Sequence, residues 1–149
     1  MQLAGVVVLL VLIAIQFVRP ALNQSTAPGP NDIAAKHPVP ADVAALLRRA
    51  CYDCHSNNTK YPWYAAVQPV GWWLASHVND GKRHLNFSEF STYSPKRAGD
   101  KLDEIIDEVE QKHMPLKSYT WAHPEARLTP EEIKLIVTWA EDLVAEVGP

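Results

Sequence analysis

The chain of 149 residues is poor in sulfur, with two cysteines and two methionines. A bridge between Cys51 and Cys54 would close a very small loop and add little stability. There is no second C-x-x-C and no H-x3–5-H spacing, so a zinc site would lack its other half. No βαβ pattern surrounds the cysteines, which removes the usual context of a dithiol redox pair. Neither sign of charge dominates: 14 basic residues face 17 acidic ones. The basic residues are scattered, with short pairs at Arg48-Arg49, Lys82-Arg83 and Lys96-Arg97, so nothing marks a nucleic-acid surface. Glycine is scarce (6) and proline frequent (12), a composition that suits short helices joined by Pro-rich connections. No segment alternates with period two and no internal repeat occurs, so the expected fold is all-α.

Both cysteines stand in one five-residue run, Cys51-Tyr52-Asp53-Cys54-His55. C-x-x-C-H is the spacing of covalent haem attachment. Two thiols three positions apart lie on one helical turn, where both reach the two vinyl groups of one porphyrin. The next residue, His55, then offers its imidazole to the iron. The expected cofactor is therefore one haem c per chain, with iron ligated by His55. Haems of this kind are attached outside the cytoplasmic membrane, which sets the expected compartment. Haem also brings a large apolar surface to a domain of roughly 110 residues that would otherwise have a modest core.

Apart from Met1, the one methionine is Met114, in His113-Met114-Pro115. Iron held between His and Met transfers electrons at raised potential, and a late Met ahead of a C-terminal helix is the pattern of a small His/Met cytochrome c. Met114 is the expected second ligand. The alternative is a methionine filling a core gap. Among the histidines, His77 on an apolar helix face is the main competitor, giving a bis-His site. His113 adjoins Met114 but should point elsewhere. His84 and His123 are weaker rivals, and His37 falls in a segment expected to be solvated.

Residues 1–20 read as an N-terminal transmembrane anchor. Leu3 to Val18 is apolar except for Gln16 and ends at Arg19-Pro20. Its sixteen residues would span ~24 Å as a helix, a little short of a ~30 Å hydrocarbon core. The alternative is a signal peptide, but the start is Met-Gln-Leu and the best cleavage site, Ser25-Thr26-Ala27, precedes Pro28. Residues 21–39 read as a Pro-rich extended tether, and residues 40–149 as the haem-binding domain.

Four helices are expected in that domain. One is capped by Asp42 and carries Val43, Leu46, Leu47, Ala50 and Cys51 on one face. A second runs from Pro69 to near Gly81, and a third starts at Ser94-Pro95 with Leu102, Ile105, Ile106 and Val109 as its stripe. The fourth starts at Thr129-Pro130 and buries Ile133, Ile136, Val137, Ala140, Leu143 and Val144. The third helix has a strongly acidic outer face, read as its wet side or as a dock for a basic redox partner. The aromatics Tyr61, Trp63, Tyr64, Trp72 and Trp73 suit core packing or the walls of a cofactor pocket. Lys82, Arg83 and Arg97 are candidates to pair with haem propionates or to lie solvated.

The stretch CYDCHSNNTKYPWYAAVQPVGWWLASHVNDGKRHLNFSEF, with HMPLKSYTWAHPEARLTPEE and Trp139 in the last helix, resembles the bacterial haem-binding-domain family. The likeness runs from about Val39 to Ala140. It implies a small single-haem protein with an N-terminal apolar segment. Cys51 and Cys54 correspond to haem-linking cysteines, His55 to the proximal ligand and Met114 to the distal one. The expected protein is a membrane-tethered monohaem c-type cytochrome. It would pass single electrons to partners of a respiratory or periplasmic chain, with no enzymatic activity and no nucleic-acid partner. The alternatives are a haem-based sensing module, in which the sixth ligand is absent or displaceable, and a peroxidase-like enzyme with His77 or His113 as distal acid/base.

Overall fold

Eight α-helices form in the computed structural model, which describes residues 2–25 and 28–147. In chain order they are α1 (Gln2–Ala14), α2 (Ile33–Lys36), α3 (Ala41–Ala50), α4 (Tyr52–His55), α5 (Val70–His84), α6 (Pro95–Glu110), α7 (Lys117–Ala122) and α8 (Pro130–Val147). Short 3-10 turns join several of them. Among the described residues the one β-type pairing is an isolated antiparallel bridge between Gln24 and Asn58, so the all-α expectation holds.

The two strongest amphipathic stretches build the centre. Ser94 caps α6 by accepting from the Arg97 amide at 3.3 Å, with Pro95 at the first helical position. Thr129 and Glu132 cap α8 reciprocally: each backbone N–H donates to the other's side chain, at 2.8 and 3.2 Å. Leu102, Ile105 and Val109 of α6 then join Ile136, Ala140 and Leu143 of α8 in one buried core, to which α3 adds Val43, Leu46 and Leu47. Ile106, Ile133 and Val144 pack at its margin rather than inside it. Phe87 and Phe90, in a 3-10 turn over Phe87–Thr92, are among the most deeply buried side chains. No helical period announces them, because they lie in a turn.

Three expectations are corrected. First, the N-terminal run does not form one membrane-length helix. α1 ends at Ala14 and a 3-10 turn follows over Ile15–Phe17, so the helix is ~20 Å long. No helix among the described residues is long and apolar enough to cross a membrane. The physical reason is Gln16. Its side-chain amide donates to Leu12 O at 2.9 Å and Gln68 O at 3.1 Å, while its oxygen accepts from the Gln68 amide at 2.9 Å. The one polar side chain of the run thus fastens its end to the domain.

Second, residues 21–39 are not a free, extended tether. Asn23 donates from its backbone to Tyr61 Oη at 2.9 Å and from its side chain to Ser56 O at 2.8 Å. It also accepts from Lys82 at 2.6 Å. Asp32 caps α2, Ile33 is fully buried, and the Trp139 indole donates to Pro38 O at 3.2 Å. Polar, Pro-rich composition signals loop, but it does not reveal that a single Ile fills a hole in the core. Of the considered cleavage site, Thr26 and Ala27 lie outside the described residues.

Third, two helix ends move. Pro40, not Asp42, precedes α3, and Asp42 sits in its first turn with its carboxylate accepting from the Val43 amide at 2.9 Å. α5 runs three residues past Gly81 to His84, because Gly81 serves as a close-packing point inside the helix rather than as its end.

Replacing Ile33 by Ala should lower unfolding free energy by about 2–5 kcal/mol, as for a core leucine or isoleucine. Denaturant midpoints of the purified protein check this. A cost near zero would mean that the segment behaves as a tether after all.

Candidate functional site

The motif occupies one of the two shortest α-helices, of four residues. α3 ends at Cys51, whose backbone turns away (φ −124°, ψ −41°), and α4 supplies a single further turn. One turn has too few internal hydrogen bonds to persist alone, so its neighbours hold it. Tyr52 stacks on Phe87 with ring centroids 5.1 Å apart, which ties α4 to the core. Thr59 Oγ1 donates to Asp53 O at 2.7 Å. The Asp53 carboxylate accepts from the Lys60 amide at 3.0 Å and from Tyr119 Oη at 2.7 Å. On the other side α5 lies against the motif at Gly81, where an added Cβ would stand 2.6 Å from Cys54 O and 3.1 Å from Cys54 Cβ.

These contacts leave Cys51, Cys54 and His55 facing empty space. A cavity of about 280 Å³ is lined by all three together with Met114, His77 and Tyr119. A second of about 290 Å³ adjoins it through Cys51, His55 and Met114 and is walled by Leu47, Phe87 and Ile105. A third of about 410 Å³ continues on the other side past Cys54 and Tyr119, between Tyr61, Tyr64, Trp73 and Trp121. Each is comparable to the lower end of ordinary small-molecule and cofactor sites, about 300–1,000 Å³, and shared walls make them one crevice. The two cysteines are unbridged. Burial pushes the Cys51 thiol up to about 12 and the Cys54 thiol up to about 11, so both stand as neutral thiols. That is poor material for a thiolate redox pair, which needs a lowered pKa. Among the described residues no group of three or more His, Cys, Asp and Glu is arranged to hold a metal ion.

His55 Nδ1 lies 3.1 Å from Leu85 O. A carbonyl only accepts, so Nδ1 carries the hydrogen and Nε2 keeps its lone pair. Burial lowers the imidazole pKa, against the opposing pull of the Leu85 and Gly81 carbonyls, which keeps the ring neutral. A neutral imidazole oriented by a backbone carbonyl is the arrangement of a metal-ligating histidine.

Met114 reaches the same cavity by a different local device. Lys112 adopts a left-handed conformation (φ 58°) just past the end of α6. The amides of His113 and Met114 then both donate to Glu108 O, at 2.9 and 3.0 Å. Glycine is the usual residue at such a helix end; here a lysine takes it and turns the chain so that the methionine lines the crevice. His113 is exposed and lies beside Glu108, 3.7 Å away. The site thus holds two thiols, an imidazole with a free lone pair, a thioether and apolar walls, a donor set that fits a covalently held haem.

A family model described as a haem-binding domain matches residues 10–142. The chain belongs to the haem-binding domain family. No curated protein and no solved structure matches it. Membership of that family supports haem binding by this chain.

The other candidate residues of the haem-binding domain separate clearly. His77 also lines the crevice, half-buried, with Nδ1 2.9 Å from Trp73 O, so its Nε2 is free. His84 lines it too. His123 sits at the far end between Tyr64 (3.3 Å) and Glu125 (3.3 Å), and His37 pairs with Glu146. None of the three cations considered for propionates lines the crevice. Lys82 binds Asn23, Arg83 pairs with Asp80, and Arg97 lies over the Tyr93 ring. Lys101 and Lys60 line it instead. Glu104 and Glu108, part of the acidic face of α6, stand at its wall and are not merely solvated. The Asp53–Tyr119 bond joins residues far apart in the chain; only its members' places, inside C-x-x-C and in M-P-L-K-S-Y, hinted at it.

Gly81→Ala should cost about 1–3 kcal/mol of stability through the collision with Cys54, read as a lower denaturant midpoint and a reduced yield of haem-loaded protein. Tyr119→Phe should cost about 1–2 kcal/mol for the lost bond to a carboxylate, read by the same titration.

Proposed function

We propose that this protein is a monohaem c-type cytochrome that carries single electrons outside the cytoplasmic membrane, held there by its N-terminal apolar segment. The observation that carries this reading is that Cys51, Cys54, His55 and Met114 line one cavity. Cys51 and Cys54 would hold the haem covalently: each thiol S–H would add across one vinyl C=C, forming a C–S bond and passing its hydrogen to carbon, with no oxidant needed. The neutral thiols described above are in the right protonation state to supply that hydrogen. One haem is held per chain, since there is one pair of cysteines.

His55 is the proximal ligand through Nε2, and the Leu85 carbonyl fixes its ring plane and tautomer. Met114 is the distal ligand. The haem supplies one-electron iron chemistry, and a His/Met pair sets it at raised potential. With His55 and Met114 both holding the iron, the protein would leave no ligand position for a substrate, which would favour a carrier over an enzyme. The partners are redox proteins. The exposed side chains of α1, apolar from Leu3 to Ala14, supply the membrane attachment, either at the surface or by insertion.

Absorption spectra of the full chain, exported with the c-type haem assembly machinery, test this. We expect a c-type alkaline pyridine spectrum and, when oxidised, the weak far-red sulfur-to-iron band, lost in Met114→Ala. The reduced wild type should bind carbon monoxide slowly or not at all, and the variant readily. A c-type spectrum without the band, altered by His77→Ala, would move the second ligand to His77. Fast carbon monoxide binding by the wild type would favour the sensing module. A preparation without covalent haem would overturn the proposal.

A further inference from the structure

The corner of the domain where α1 is fastened has an unusual surface. Gln16 binds both backbone groups of Gln68, and the Trp72 indole donates to Val18 O at 2.8 Å. Around this root Phe17, Val18, Val67, Val70, Trp72 and Trp73 are all exposed. Trp63, at the start of the adjoining 3-10 turn, is 82 % exposed, as is Trp121, which lines the 410 Å³ cavity together with Trp73. Four of the five tryptophans thus open to solvent on segments that meet at one corner; the fifth, Trp139, is in the core. Indole is costly to leave in water, but its N–H makes it suited to a boundary that is apolar on one side and wet on the other.

Charge divides the same way. Residues 15–22, 60–73 and 117–123 hold Arg19, Lys60 and Lys117 and no acidic residue, and all three cations are exposed. Six of the 17 acidic residues lie on α6 and five on α8, and these two helices pack on each other and not on this corner. A face combining exposed indoles, a few cations and the root of an apolar helix is complementary to the headgroup region of an anionic bilayer.

We infer that the corner formed by residues 61–73 and Trp121 is a second membrane contact: the domain lies with this face against the bilayer surface, rather than hanging from it on a tether. The inference rests on the reading of α1 as a membrane attachment and deepens it. The Gln16–Gln68 clasp then has a purpose, since it fixes the angle between α1 and the domain so that helix and tryptophans meet one surface together. The side of the 410 Å³ cavity lined by Trp73 and Trp121 is turned toward the lipid and the acidic α6 remains open to soluble partners.

The test uses the full haem-loaded chain bound to vesicles of phosphatidylcholine and phosphatidylglycerol that include a phosphatidylcholine with a diazirine on the acyl chain close to the glycerol. After flotation and irradiation, crosslinks are located by mass spectrometry. We expect lipid adducts on α1 and, separately, on residues 61–73 and 121, with none on α6. In Trp63→Ser/Val67→Ser, altered outside the haem crevice, flotation should persist while adducts in 61–73 fall severalfold. Co-flotation with adducts confined to α1 would overturn the second contact and leave the attachment standing. Undiminished adducts in the double variant would also overturn it. Failure to float would overturn the attachment and this inference with it.

Discussion

The site depends on the contact between one turn of helix and the C-terminal end of another. α4 has four residues and cannot order itself, yet it must present two thiols and an imidazole in one geometry. α5 supplies the template. Gly81 lets its backbone come within reach of Cys54, and Leu85, one turn further on, offers its carbonyl to His55 Nδ1. Gly81 lies in the last turn of α5, and Leu85 follows directly after the helix in an extended conformation. Any side chain at position 81 would push α5 away and take the carbonyl with it. The approach of the two backbones therefore fixes the orientation of the imidazole.

The second wall of the crevice belongs to a different part of the chain. α6 and α8 form the core, and the left-handed turn after α6 brings Met114 to the cavity. Asp53 then reaches from inside the cysteine motif to Tyr119 in α7, five residues beyond Met114. The two halves of the donor set are thus joined by a hydrogen bond between a carboxylate and a phenol. Burial and the nearby Asp53 carboxylate both hold the Tyr119 proton well above its ordinary range, so the donor is permanent.

The N-terminal forty residues change character when seen in three dimensions. As composition they are an apolar run and a Pro-rich connector. As structure they are a helix clasped by one glutamine, followed by a strap whose asparagine, aspartate and isoleucine fill specific places on the domain. Each place is set by a partner far away in the chain: Gln68, Ser56, the core around Phe90. Position-specific partners of that kind leave no periodic trace, which is why a strap and a linker read alike.

The sequence by itself determined the chemistry and the main helices. C-x-x-C-H pointed to haem because it is the spacing that covalent attachment would need, and the family match supports haem binding. The stripes of α6 and α8 and their Ser94 and Thr129 caps are local patterns that each helix satisfies within itself. Only the tertiary structure decided which groups share a cavity. It brought Met114 and His77 to the same crevice as His55, left the expected propionate cations elsewhere, and put Lys60 and Lys101 there instead. It turned Gly81 from a helix end into a packing point, and the exposed tryptophans from core candidates into a surface. The physical reason is the same in each case. Helix periodicity and capping act over three or four residues, whereas burial and close approach are settled by whichever distant segment arrives at that spot.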